Sequence, residues 1–216
     1  MTSSSLITQT PSLRLAVLLL VAGEGSRLGG HPKALLRKDG QTLLERFSKS
    51  IQGFNLVEFI AVTGFYAQAV EVELAKLNGT LNHQIKSILN IAPEKGHPSS
   101  VRLGLESLRS QFDVLLVALS DQPEIGEKEV AELLEEFSQR NLSEEIILPM
   151  VNGKRGNPVL FSRVAVLNTL KATELVCRSY MDAHPEQVRI LHTQNLSFVL
   201  DVDTIEDIQR HKLSLS

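Results

Sequence analysis

The segment Ala22-Gly23-Glu24-Gly25-Ser26-Arg27-Leu28-Gly29-Gly30-His31-Pro32-Lys33 follows the strongly apolar run Leu15 to Val21. Glycines let a chain turn tightly and bring its N–H groups against an anion. Arg27 can fork onto phosphate oxygens, and Lys33 can act as a point charge in the same place. Together they suit a triphosphate better than a monoanion. Two familiar phosphate loops do not fit. The P-loop needs Ser or Thr after its Gly-Lys, and Lys33 is followed by Ala34. The dinucleotide fingerprint wants a third glycine three residues after the second, where Leu28 stands, and few charges in the turn.

Carboxylates supply the second half of this chemistry. Asp121 lies in Ser120-Asp121-Gln122-Pro123, just past the apolar run Val114 to Leu119. A carboxylate there sits at the edge where parallel sheets bind ligands, although an Asp before Pro123 can also cap a turn. Asp201 and Asp203 alternate onto one face if Asp201-Val202-Asp203-Thr204 is extended. With Asp121 nearby, they would suit a hard divalent cation with oxygen ligands. Asp203 and Thr204 also read as the start of a last helix, where negative charge is favoured. The reading requires Arg27 and Lys33 to face the groove that holds Asp121.

Two further loops carry polar groups. Gly96, Ser99 and Ser100 stand in Glu94-Lys95-Gly96-His97-Pro98-Ser99-Ser100-Val101-Arg102, where the serines are good first-turn residues. Lys154 and Arg155 stand in Asn152-Gly153-Lys154-Arg155-Gly156-Asn157-Pro158-Val159 and could bind a phosphate, or form a solvated turn. Cys177 has no basic neighbour or partner His in sequence and reads as a buried thiol.

The elements that must position these residues follow from hydrophobic period. Strands are expected at Leu15 to Val21, Val57 to Thr63, Ile85 to Leu89, Val114 to Leu119, Glu145 to Leu148, Pro158 to Phe161 and Val188 to Leu191. Helices are expected at Thr42 to Ile51 (a Thr42/Glu45 capping box), around Val70 to Leu77 with Asn78-Gly79 closing it, and at Pro98 to Leu108. More follow around Val130 to Phe137, at Ser162 to Leu170, at Thr173 to Met181 and after Thr204. Strand and helix alternating with continuously apolar strands means an α/β protein with a doubly wound, mostly parallel sheet flanked by helices. Residues 1–13 read as a flexible lead-in and 14–212 as one domain.

Composition limits the partners. In 216 residues, 22 Lys+Arg oppose 25 Asp+Glu, a net charge of −3, with 43% hydrophobic residues. That balance gives no global pull toward nucleic acid or an anionic membrane. The Leu15 to Ala22 run is too short to span a bilayer, and its poorly basic flank argues against an export signal. One Cys excludes an internal disulfide framework, so a reducing, cytoplasmic setting is expected.

The run LLLVAGEGSRLGGHPKALL resembles the signature of the MobA-like nucleotidyltransferases, and within them the molybdenum cofactor cytidylyltransferases. GHPSSVRLGL, LSDQPEI, GKRGNPVLF and DVDTIEDI match in order, so the resemblance runs from about Leu15 to Arg210. It implies a Rossmann-like transferase in which Arg27 and Lys33 are catalytic and Ala22, Gly23, Gly25 and Ser26 hold the nucleotide. It also implies that Gly96, Ser99 and Ser100 contact base and ribose, and that Asp121 and Asp203, or alternatively Asp201, hold Mg²⁺. The substrates implied are CTP and molybdopterin, with a molybdoenzyme receiving the product. The acceptor side would include Lys154, Arg155, Asn157 and Arg178. Asn157 stands where relatives commonly have His, and only Arg178 survives of their Gly-Asp-x-Gly-Ala-Arg run. A sugar phosphate therefore remains an alternative acceptor. A nucleotide-dependent oxidoreductase and a cofactor chaperone without catalysis remain alternative functions.

Overall fold

The computed structural model describes residues 13–172 and 176–215. The expected lead-in, apart from Leu13, and the expected helix start at Thr173 lie outside the described residues. The chain opens with β1 (Leu15–Val21), a small hairpin of β2 (Arg37–Lys38) and β3 (Gln41–Thr42), and α1 (Leu43–Ser50). It continues through β4 (Leu56–Thr63), α2 (Ala67–Asn78), β5 (Ile85–Leu89), α3 (His97–Ser107), β6 (Val114–Leu119) and α4 (Glu127–Ser138). The second half runs β7 (Ile146–Val151), β8 (Lys154–Arg155), β9 (Val159–Ser162), α5 (Arg163–Lys171), α6 (Cys177–Ala183), β10 (Val188–His192) and α7 (Ile205–Arg210).

The main sheet has the order β10-β7-β9-β6-β1-β4-β5, with β8 paired to β7. β1 is an interior strand, parallel to β4 on one side and to β6 on the other. All seven residues of β1 are buried, as a strand covered on both faces requires. Alternation divides them between two cores. Leu15, Val17, Leu19 and Val21 face the layer that contains Phe47 of α1, Leu74 of α2 and Leu133 of α4. Ala16, Leu18 and Leu20 face the layer that contains Leu105 of α3, Val166 of α5 and Tyr180 of α6. This is the doubly wound architecture that the periodicity implied.

One local expectation needs correction, and two further features add detail. Thr42 caps α1 by accepting from Glu45 N at 3.0 Å, but the Glu45 carboxylate binds Lys49 at 2.7 Å, so the capping box is half made. Gly79 closes α2 at φ −81°, in the right-handed region, with its N–H on the Leu77 and Lys76 carbonyls. β9 runs antiparallel to both β6 and β7. Its entry hairpin puts Lys154 and Arg155 in a paired strand, with Asn152 and Gly153 both at positive φ in the turn.

The C-terminal segment has its own small core. Val202, Ile208 and Leu213 pack with Leu28 of the glycine loop and with Leu36 and Leu43. Val202 N donates to the Asp121 carbonyl at 3.0 Å. Thr204 caps α7 and Asp207 completes a capping box, which fixes the turn that carries Asp203. Burying one valine beside one loop leucine thus brings the last motif against the first.

Candidate active site

The carboxyl ends of β1, β4, β5 and β6 surround a cavity of about 610 Å³. The glycine loop forms its floor. Ala22, Gly23, Gly25, Ser26, Arg27 and Lys33 all line it. The loop turns at Gly25, where φ is +62° and a Cβ would meet the His31 carbonyl oxygen at 2.4 Å. Only glycine fits there, and the tight turn lets Leu28 N and Gly30 N bond the Gly25 carbonyl at 2.8 and 3.2 Å.

Lys33 and Arg27 face the acidic side of the cavity. Lys33 Nζ donates to Asp121 Oδ2 at 2.8 Å and to Asp203 Oδ1 at 2.6 Å. Arg27 Nη1 reaches Asp203 Oδ2 at 3.4 Å from a largely exposed side chain. Burial of the Lys33 ammonium pulls its pKa down, but the two carboxylates more than reverse this and raise it above the ordinary lysine value. Lys33 is therefore a fixed positive charge at physiological pH.

The lining carries two cations, Arg27 and Lys33, against four carboxylates, Glu24, Glu94, Asp121 and Asp203. Such a cavity repels a polyanion unless a further cation enters. Asp121 Oδ1 is buried and has no hydrogen-bond partner. A buried carboxylate oxygen left unpaired is costly, and hard oxygen donors of this kind match a divalent cation of the Mg²⁺ type. Among the described residues no three His, Cys, Asp or Glu side chains form a ready metal cage. An ion on Asp121 and Asp203 would complete its shell with phosphate and water oxygens, the usual arrangement for Mg²⁺. The residues thus fit such an ion. Asp201 is exposed and does not line the cavity, yet burial of its carboxyl and the charges of Asp121 and Asp203 push its pKa up.

The turn into α3 and its first residues contribute Gly96, His97 and Ser100 to the wall, and Ser99 is not among the lining residues. Ser99 Oγ donates back to the Gly96 carbonyl at 2.8 Å. Asn90, which the motif reading passed over, organises this loop. Its Nδ2 donates to Ser99 Oγ and Ser100 Oγ at 2.9 Å, and its Oδ1 accepts from Ala92 N. Burial lowers the pKa of His97 against the opposing pull of Asp121.

The expected acceptor residues stand outside the cavity. Lys154 and Arg155 are exposed, and Arg155 is paired with Asp182 at 2.6 Å. Asn157 is half-buried and bonds the Phe198 carbonyl through its backbone. Arg178 is exposed on α6. The hairpin nevertheless emerges at the carboxyl edge of the sheet, since β7 leads into it. Cys177, expected as a buried thiol, is half-buried, and burial of its thiol pushes its pKa up to about 12. Phe65, after β4, lines the cavity, and Tyr66 bonds the glycine loop; the sequence reading singled out neither.

A glycine loop facing strand-end carboxylates across one cavity defines a nucleotide-handling α/β protein. The chain belongs to the MobA-like NTP transferase domain family, whose model matches residues 17–188. It is 30% identical to nicotine blue oxidoreductase of Paenarthrobacter nicotinovorans, over 89% of this chain and 94% of that one. It is 26% identical to the bifunctional protein GlmU of Prochlorococcus marinus over 69% of this chain, a match that spans only 31% of that longer protein. Among solved structures, Rv0371c of Mycobacterium tuberculosis H37Rv superposes with a TM-score of 0.71 at 21% identity, covering 91% of this chain and 97% of that one. A manganese complex of Rv0371c superposes at 0.64. No helix among the described residues is long and apolar enough to cross a membrane.

Proposed function

We propose that this chain is a nucleotidyltransferase. A phosphate oxygen of an acceptor attacks the α-phosphorus of a nucleoside triphosphate, the bond to the bridging oxygen breaks, and pyrophosphate leaves. The observation that carries this reading is the clasp of Lys33 between Asp121 and Asp203 at the lip of the glycine loop, inside one cavity. Phosphoryl chemistry needs in-line placement and neutralised charge more than a covalent partner. The loop N–H groups and Ser26 bind and orient the phosphates. Arg27 and Lys33 supply positive charge where it develops. Asp121 and Asp203 would hold Mg²⁺, which when bound neutralises phosphate oxygens. Lys33 then exchanges its carboxylate partners for phosphate.

The five ordered motifs support CTP as donor and molybdopterin as acceptor. The hairpin of Lys154 and Arg155, with Asn157 and Arg178 beside it, is the proposed acceptor side. A second reading draws on the relative named nicotine blue oxidoreductase, which matches nearly end to end. In it the same cavity holds a nucleotide cofactor for hydride transfer. One assay separates the two. Purified protein is incubated with each triphosphate, Mg²⁺ and molybdopterin, and in parallel with NADH or NADPH and a reducible aromatic dye. Pyrophosphate release supports transfer, and dye-dependent loss of the reduced nicotinamide supports the oxidoreductase. Nucleotide binding with neither product would overturn both in favour of a carrier role.

A further inference from the structure

Of the eight phenylalanines, six are buried and Phe54 is half-buried, while Phe65 is 43% exposed and lines the cavity. Among the described residues that line the cavity it is the only Phe, Tyr or Trp. Its neighbours fix it there. Gly64 lies so close to the glycine loop that a Cβ would meet Ala22 Cβ at 2.8 Å and the Ala22 carbonyl at 2.9 Å. Tyr66 donates its hydroxyl to the Glu24 carbonyl at 2.7 Å. The turn after β4 is thus locked to the phosphate loop on both sides of Phe65. The sheet order β6-β1-β4 sets Phe65 two strand spacings, about 10 Å, from the Asp121 side. A phosphate chain anchored at the charged end would leave room for its nucleoside toward the β4 end.

We infer that Phe65 is the aromatic platform on which the nucleobase lies, with Tyr66 holding the phosphate loop in register with it. This deepens the transferase reading and rests on it. Base-on-aromatic stacking is worth enough for about a tenfold change in affinity and is tolerant of base identity. The donor's base would then be held by Phe65, and chosen among bases by the polar groups of the loop before α3.

Calorimetric titration with Mg²⁺ tests this, using CTP, ATP and inorganic tripolyphosphate as ligands. Phe65→Ala is expected to weaken CTP and ATP about tenfold and to leave tripolyphosphate within about twofold of wild type. Phe65→Trp is expected to restore nucleotide binding, which separates lost stacking from lost folding. Unchanged nucleotide affinity in Phe65→Ala overturns the inference alone, because wild-type binding still supports the cavity's role. An equal loss for tripolyphosphate also overturns it, by assigning Phe65 to loop structure. A wild type that binds none of the three ligands overturns the transferase reading and this inference together.

Discussion

Lys33 carries more of the proposed site than any other residue, because its ammonium touches both carboxylates proposed to hold the metal. Lys33→Ala removes a charge that is already in place before substrate arrives. Its loss should lower kcat by about a hundredfold or more. Asp121→Asn should do the same while leaving the side chain's volume unchanged. Initial rates of pyrophosphate release check both, and near wild-type rates in either variant would defeat the transferase reading. These two residues were legible in the sequence because each follows an apolar strand and carries a full charge, a combination that packing alone does not explain. Phe65 was not legible, since an aromatic residue after a strand reads as core. Asn90 was missed because its contacts are to two serines nine and ten residues on, which only the folded loop brings together.

At the level of elements, the sequence revealed existence better than direction. β1, β5 and β6 appear at the expected residues, because continuous apolar runs bounded by loops have one reading. β9 was expected as a strand, but nothing in Val159 to Phe161 says that it runs antiparallel between β6 and β7. The β2–β3 hairpin did have a signal, the Asp39-Gly40 pair at φ 51° and 82°, which is the turn chemistry such hairpins use. Element packing also assigns a role to Arg102 of α3. Its guanidinium donates to the Thr169, Leu170 and Ala172 carbonyls, the open C-terminal end of α5, and its Nε pairs with Glu106. Helix ends need such partners. Arg102→Ala should cost about 1–3 kcal/mol of stability, read as a lower urea midpoint with an unchanged slope. Arg102→Lys should recover little, because an ammonium cannot fork across three carbonyls. Full stability in Arg102→Ala would show that α5 is capped without it.

On the scale of the whole molecule, the decisive feature is a charge imbalance that no single motif displays. The cavity gathers residues from the first loop, the turn after β5, the end of β6 and the C-terminal segment, and carboxylates outnumber cations among them. The glycine loop read alone suggested a positive cradle, and the Asp121 and Asp203 motifs a cation site. Only their assembly, through Val202 against Leu28 and Val202 N on Asp121, shows that a triphosphate would meet net negative charge. Nucleotide and divalent cation should therefore bind as one unit, each weak without the other. A ligand that binds only the folded state raises stability by about 2.7 kcal/mol at a hundred times its Kd. For a chain of this size that is a Tm increase of about 5–10 °C. Thermal unfolding should show this rise with CTP and Mg²⁺ together, and little change with CTP in EDTA or with Mg²⁺ alone. Asp121→Asn should abolish the joint effect, since it deletes the charge at the buried oxygen that lacks a partner. A full shift with CTP in EDTA would mean that Arg27, Lys33 and the loop N–H groups neutralise the phosphates unaided, and that Asp121 and Asp203 serve only to hold Lys33 in place.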